Sequence, residues 1–267
     1  MSGNFGPEGG FLSLDDPVPM ASFMALLENR GLMPAWNVDS RSEGVVIPEA
    51  TTVLALRYAD GVVMAGDRRA TAGHVIAHDR VKKVYPADRF SAVAISGTAG
   101  MAIELVKLFQ TELEHYEKIE GARLSLEGKA NYLARMVRAH LPLAFQGLAV
   151  VPLFCGYDEP EGSGRLYSFD AVGGRYEERE YTTTGSGGAA ARSFLKNSYR
   201  EGLKEDEALS IAVEALVAAA EDDAATGGPD LQRGIYPNVA TVTDIGFVEI
   251  VDDRLEGIAV HVLENRP

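Results

Sequence analysis

The 267-residue sequence has one cysteine, no apolar run approaching the roughly 18 residues of a membrane-spanning helix, and a shortage of positive charge. A single cysteine excludes an intrachain disulfide and a cysteine cluster for zinc. It sits in the strand-like run AVVPLFCGYD, where Cys155 reads as a buried, inert thiol and not as a nucleophile. Lysine and arginine number 25 against 39 aspartates and glutamates, a formal charge of −14. That balance argues against a nucleic-acid backbone as partner, because such binding rests on cationic patches. The first 15 residues, MSGNFGPEGGFLSLD, lack the basic start and apolar core of a secretory signal. A cytoplasmic protein without membrane contact is expected.

Motifs for cofactors and metals are missing too. His74, His78, His115, His140 and His261 form no H-E-x-x-H pair. His74 and His78 would share a face of an extended strand, yet no carboxylate motif supports them as ligands. The acidic run Glu221, Asp222, Asp223 reads as a solvated helix end, too poor in acceptors for calcium. No G-x-S-x-G elbow appears. Gly185, Gly187 and Ala190 have G-x-G-x-x-A spacing, but no second parallel strand follows to carry the acidic residue of a dinucleotide site. Neither a cofactor nor a metal is expected.

What is present is an ordinary globular composition, 46% hydrophobic and 24% charged. Residues 1–50 differ from the rest, with six glycines, five prolines and only a short helical pattern on Phe23, Leu26 and Leu27. They read as a flexible tail or a detachable pro-segment. From Thr51 the signals become dense. TTVLALRY and GVVMAGDRR are strand-like and meet at Ala59-Asp60-Gly61, where Asp-Gly marks a hairpin. HVIAHDRVKKVY and FSAVAISG read as further strands. Residues 98–121 then place Ala102, Leu105, Val106, Phe109, Leu113 and Tyr116 on one helical stripe. A second helix spans 125–147, with Ser125 and Glu127 at its start. Strands follow in AVVPLFCGYD, GRLYSFDAVG and GRYEEREYTTTG, then helices over 188–199 and 206–222, a strand in VATVTDIGFVEIVD, and a helix near 252–264. Clustered strands followed by clustered helices predict an α+β fold of antiparallel sheets under helical layers.

The threonine pair that opens the first strand has two readings. β-Branched residues suit a pleated surface, and a threonine can also place a main-chain amine beside a hydroxyl. Asp67, Lys83, Gly97, Ser186 and Asp223 are candidate neighbours, although each has a structural explanation when taken singly: a strand end, a surface charge, a turn before a helix.

The blocks TTVLALRYADGVVMAGDRRAT, DRVKKVYP, ISGTAG, ELEHYEKIEG, QGLAVVPLFCGYD, TTGSGG and AAEDDAATGGPD resemble, in order and spacing, a proteasome β subunit of the bacterial, actinobacterial kind. The resemblance runs from Thr51 almost to the C-terminus. It implies the Ntn-hydrolase fold, a four-layer αββα sandwich, with 1–50 a propeptide and 51–267 the peptidase domain. It also implies cleavage between Ala50 and Thr51, after which the Thr51 hydroxyl attacks a peptide carbonyl and its α-amine takes the proton. On the same matching, Lys83 is the active-site lysine, Asp67 its partner and the Gly97 N–H an oxyanion donor. Ser186, Asp223 and Thr226 hydrogen-bond around the Thr51 amine and hydroxyl, and Thr52 is an ordinary strand position. Ala70, Thr71, Val81, Ile95, Ala99 and Ile103 line an apolar pocket for the residue before the cut. Ala50 departs from the family's usual glycine. If autocleavage needs a positive φ there, its Cβ costs about 1–2 kcal/mol and maturation slows. Gly188 replaces a residue that is often serine.

The implied partners are other β subunits in heptameric rings stacked in pairs, rings of a separate α subunit, an ATP-dependent unfoldase and unfolded protein substrates. A non-maturing structural ring subunit is the alternative from another class. The shorter ring peptidase of the two-component ATP-dependent protease is the alternative within the class, disfavoured by the 50 residues ahead of the threonine.

Overall fold

The computed structural model describes residues 51–72 and 75–265. The expected propeptide, Ala50 and His74 lie outside the described residues.

Thr52–Tyr58 (β1) and Gly61–Gly66 (β2) make the hairpin expected at Asp60-Gly61. Ala70–Ala72 (β3) and Val75–His78 (β4) form a short ribbon, and Val84–Asp88 (β5) pairs with Ser91–Gly97 (β6). Helices Ala99–Glu120 (α1), Leu126–Ala139 (α2) and Leu141–Ala144 (α3) follow. Next come Val150–Asp158 (β7), Ser163–Phe169 (β8), Arg175–Glu178 (β9) and Tyr181–Gly185 (β10). Helices Gly188–Ser198 (α4) and Glu205–Asp222 (α5) precede the hairpin Asn238–Thr243 (β11) and Gly246–Glu249 (β12), and Asp252–Glu264 (α6) is the last helix.

Two five-stranded antiparallel sheets result, ordered β10-β1-β2-β11-β12 and β5-β6-β7-β8-β9. Side chains on a strand alternate between faces, and here both faces are covered. Val53, Ala55, Val62 and Met64 of the first sheet pack on Ala92, Ala94, Leu153, Cys155 and Leu166 of the second. Their neighbours Leu54, Leu56, Val63 and Ala65 face the opposite way, onto Ala212, Ala215, Leu216 and Ala219 of α5. On the far side, Val93, Ile95, Phe154 and Tyr167 pack on Leu105, Phe109, Leu133 and Val137 of α1 and α2. This is the helix–sheet–sheet–helix sandwich expected of the α+β reading. Burial on both faces explains why antiparallel strands read as near-continuous apolar runs. Cys155 lies in the layer between the sheets, fully buried, and burial pushes its thiol far above the ordinary value.

Three segments differ from their sequence-based description. HVIAHDRVKKVY is not one strand: it ends at His78 and resumes at Val84, after the chain has turned Lys83 inward. GRYEEREYTTTG breaks at Arg179 and Glu180, and its halves join different sheets, β9 on β8 and β10 on β1. An extended segment that changes sheets keeps a strand-like composition throughout, so the crossing leaves no local mark. VATVTDIGFVEIVD folds back at Asp244-Ile245 as the β11–β12 hairpin. The second helix also stops early, at Ala139, and Tyr116 on the first helix is 39% exposed, off the buried stripe.

Candidate active site

Thr51 immediately precedes β1 and is buried. Pairing of β1 with β10 sets Thr52 opposite Gly185, and the Ser186 N–H donates to the Thr51 carbonyl at 3.2 Å. Gly185 has φ 100°, and a Cβ there would lie 1.5 Å from that carbonyl oxygen. Only glycine lets the two strands approach this closely.

Asp67 follows β2 and is fully buried; Lys83 leads into β5 and is 4% exposed. The Lys83 Nζ donates to Asp67 Oδ1 at 2.6 Å and to the Arg69 carbonyl at 2.6 Å. Asp67 Oδ1 also accepts the Thr52 N–H at 2.8 Å, while Oδ2 accepts the N–H groups of Arg69 (2.8 Å) and Gly227 (3.0 Å). Four donors thus fill the carboxylate, which is the condition for keeping a charge pair buried. Burial pulls the Lys83 pKa below its ordinary value against the Asp67 charge that raises it, and nearby Arg69 lowers it further. The lysine is steered from behind as well. The N–H groups of Lys83 (3.2 Å) and Val84 (2.9 Å) both donate to Asn238 Oδ1, and Asn238 Nδ2 is held by Glu249 at 2.9 Å. Its neighbour Lys82 points the other way, to Glu249 at 2.7 Å.

A small cavity of about 20 Å³ opens beside these groups, lined by Thr51, Lys83 and Gly97 together with Val81, Lys82, Tyr85, Ile95, Ala99, Ala102 and Ile103. Gly97 closes β6 with φ 112°, where a Cβ would sit 2.1 Å from the Ala149 carbonyl. The Thr98 N–H is given to that carbonyl at 3.1 Å, so ladder alternation directs the Gly97 N–H away from β7.

Ser186, Asp223 and Thr226 form a separate cluster. Asp223 Oδ2 accepts the hydroxyls of Ser186 (2.5 Å) and Thr226 (2.6 Å), and Oδ1 accepts the Ala225 N–H at 3.1 Å. Burial works to raise the Asp223 pKa, but these hydrogen bonds and the Arg69 charge outweigh it and hold the carboxyl below its ordinary range.

Most of the residues singled out from sequence therefore converge: Thr51, Lys83, Gly97, Val81, Ile95, Ala99 and Ile103 on one cavity, Asp67 on Lys83, and the Ser186 cluster at the Thr51 carbonyl. Ala70 and Thr71 are buried on β3 and do not line the cavity. The Thr226 hydroxyl, expected around Thr51, lies 2.6 Å from the Thr52 hydroxyl. Thr52 is correspondingly no ordinary strand position, since its hydroxyl also accepts the Gly187 N–H at 2.9 Å. Tyr85, Ala102 and Asn238 were not anticipated. Tyr85 had a readable signal, because it lies two residues beyond Lys83 and so on the same face of an extended chain. Asn238 had none.

Comparison with known proteins shows the family. Residues 47–230 match the family model described as Proteasome subunit. The chain is 53% identical over 247 residues to a proteasome subunit beta of Acidimicrobium ferrooxidans, covering 92% of this chain and 90% of that one. It is 51% identical to the proteasome subunit beta of Streptomyces griseus, covering 92% and 89% of the two chains. Identity to the proteasome subunit beta of Acidothermus cellulolyticus is 54%, over 82% of this chain and 77% of that one. The chain belongs to the proteasome subunit family, and its relatives are the β subunits of bacteria.

Proposed function

We propose that this chain is the catalytic β subunit of a proteasome core particle, a threonine endopeptidase that acts on unfolded proteins. One observation carries the reading: Thr51, Lys83 and Gly97 line a single cavity with mainly apolar walls, with Lys83 tied to a buried carboxylate.

In this reading residues 1–50 are a propeptide, and cleavage after Ala50 frees the Thr51 α-amine. The Thr51 hydroxyl attacks the scissile carbonyl while the amine takes its proton, directly or through a water. An α-amine has an unperturbed pKa of about 7.7–8.0, close to working pH, as a general base requires. The Lys83 charge favours the neutral, proton-accepting amine. The Gly97 N–H donates to the oxyanion. The amine returns its proton to the leaving nitrogen, and water then hydrolyses the acyl ester and restores Thr51.

Beyond Thr51, Lys83 and Gly97 the cavity wall is apolar except for Lys82, whose ammonium is held by Glu249 at 2.7 Å, and the Tyr85 ring, whose hydroxyl is turned to the Lys82 carbonyl at 2.6 Å. A charged side chain there would lack a partner, so hydrophobic residues precede the preferred cut. The reading includes heptameric β rings stacked in pairs between α rings in the cytoplasm, with an ATP-driven unfoldase feeding the pore. Among the described residues no helix is long and apolar enough to cross a membrane.

The test is the mass and N-terminal residue of the assembled subunit, followed by labelling with a threonine-directed covalent inhibitor. Chains beginning at Thr51 and labelled there are expected, with slow processing traceable to Ala50. Persistent full-length, unlabelled chains would mean a structural ring subunit instead. On a fluorogenic peptide panel, best cleavage after acidic or basic residues would refute the pocket assignment.

A further inference from the structure

We propose that Thr52 is a positioning residue for the reaction, its hydroxyl fastening the nucleophile strand to the two segments that carry Ser186 and Asp223. The inference rests on Thr51 being the nucleophile.

The Thr52 side chain is fully buried and alternates with Val53, so it shares the α5 side of the first sheet with Leu54. Thr51 lines the cavity instead, with Val81 and Ile95. Thr52 has no route to substrate and can act only through its neighbours.

Those neighbours fix the direction of every proton. Asp223 is a carboxylate near neutral pH and can only accept, so at 2.6 Å the single Thr226 hydroxyl proton is committed to it. Thr226 must then accept in its 2.6 Å contact with Thr52, which makes Thr52 the donor. The Thr52 oxygen is left as an acceptor, and the Gly187 N–H fills it at 2.9 Å. The result is an ordered run from Gly187 N–H through Thr52 and Thr226 to Asp223, in which each bond polarises the next.

The run ties together residues 51–52, 185–188 and 223–227. Its far end, Asp223, receives the Ser186 hydroxyl at 2.5 Å, and the Ser186 N–H holds the Thr51 carbonyl. Thr52 therefore closes a loop that begins and ends one peptide apart, around the residue whose hydroxyl and amine must be aligned. The turn packs directly on both hydroxyls: a Cβ on Gly187 would lie 2.6 Å from Thr52 Oγ1 and 2.7 Å from Thr226 Oγ1. Thr52→Val keeps the shape and removes donor and acceptor together, stranding the buried Gly187 N–H and the Thr226 oxygen.

The experiment compares full-length wild type, Thr52→Val, Thr52→Ser and Thr52→Cys after assembly and maturation, with kcat and KM on a hydrophobic fluorogenic peptide. Thr52→Val should lower kcat about ten-fold or more at a KM within two-fold, since the substrate cavity lies on the other side of the strand. Thr52→Ser, which restores the hydroxyl without the methyl, should recover kcat to within about three-fold. Thr52→Cys, a weak donor, should fall between them. Valine with unchanged kcat, serine as impaired as valine, or a loss confined to KM would each overturn the proposal. If the valine chain fails to assemble, serine against cysteine decides: equal kcat values overturn it. Inactive, unlabelled wild-type particles would instead defeat the reading of Thr51 as nucleophile.

Discussion

Replacing Asp67 with asparagine changes one atom and strands a charge. The carboxylate has no spare acceptor, since Oδ1 takes the Thr52 N–H and the Lys83 ammonium while Oδ2 takes the N–H groups of Arg69 and Gly227. An amide in the same place must point its NH₂ at two donors whichever way it flips. The less costly flip keeps oxygen towards Lys83 and aims the NH₂ at Arg69 and Gly227. Lys83 then carries a positive charge at 4% exposure with a neutral amide in place of its ion-pair partner. Breaking one side of a buried pair costs about 3–5 kcal/mol. At roughly 2–4 °C per kcal/mol for a domain of this size, the melting temperature falls by about 6–20 °C.

Calorimetric melting of the assembled variant checks this, and a second substitution separates stability from chemistry. Asp67→Asn combined with Lys83→Met removes the stranded charge, so it should regain at least half of the lost melting temperature. It should regain no peptidase activity, because Lys83 is gone. A single variant that melts within about 2 °C of wild type would refute the idea that this pair clamps the site. A double variant no more stable than the single one would refute the charge argument specifically.

Two further outcomes follow from the same geometry. Because burial lowers the Lys83 pKa in the folded chain, the lysine loses its proton on the alkaline side before its ordinary value of 10.5 is reached. The alkaline limb of kcat/KM should therefore lie below pH 10.5, and an activity profile flat through that value contradicts it. Adjacent glycines should respond oppositely to alanine. Among the described residues a Cβ on Gly188 meets nothing closer than 3.7 Å, so Gly188→Ala should raise the melting temperature by about 1–4 °C through the unfolded state; Gly187→Ala drives its Cβ into two hydroxyl oxygens, and thermal melting should show a loss.

The sandwich was legible because its strands and helices differ in period and because the inner strands are apolar on both faces. What the sequence hid was direction. Lys82 and Lys83 are the same residue type side by side, and one reaches an exposed glutamate while the other is driven into the core. The break between His78 and Val84 that turns Lys83 inward depends on the Arg68 carbonyl holding the Val81 N–H at 3.0 Å and on Asn238, more than 150 residues away, gripping two consecutive N–H groups. Neither partner has a local signature. The sheet change at Arg179 and Glu180 was hidden for the same reason, since both halves are strand.

The threonine pair poses that problem in its sharpest form, and the strand's own alternation resolves it. Two adjacent side chains on an extended chain must face opposite ways, so only one of Thr51 and Thr52 can look into the cavity. The sandwich then assigns their environments: Thr51 to a site between Lys83 and Gly97, Thr52 to the packed helix side, where an unpaired hydroxyl would be costly. A buried threonine on that side needs partners, and it has them in Gly187 and Thr226. Valine would satisfy the packing without any of these bonds, so burial alone does not call for a hydroxyl. The turn does, because the Gly187 N–H is satisfied by the Thr52 hydroxyl at 2.9 Å, on a strand whose main chain is paired with β2 and β10. The second threonine is the acceptor that allows the Ser186 turn to sit against the first.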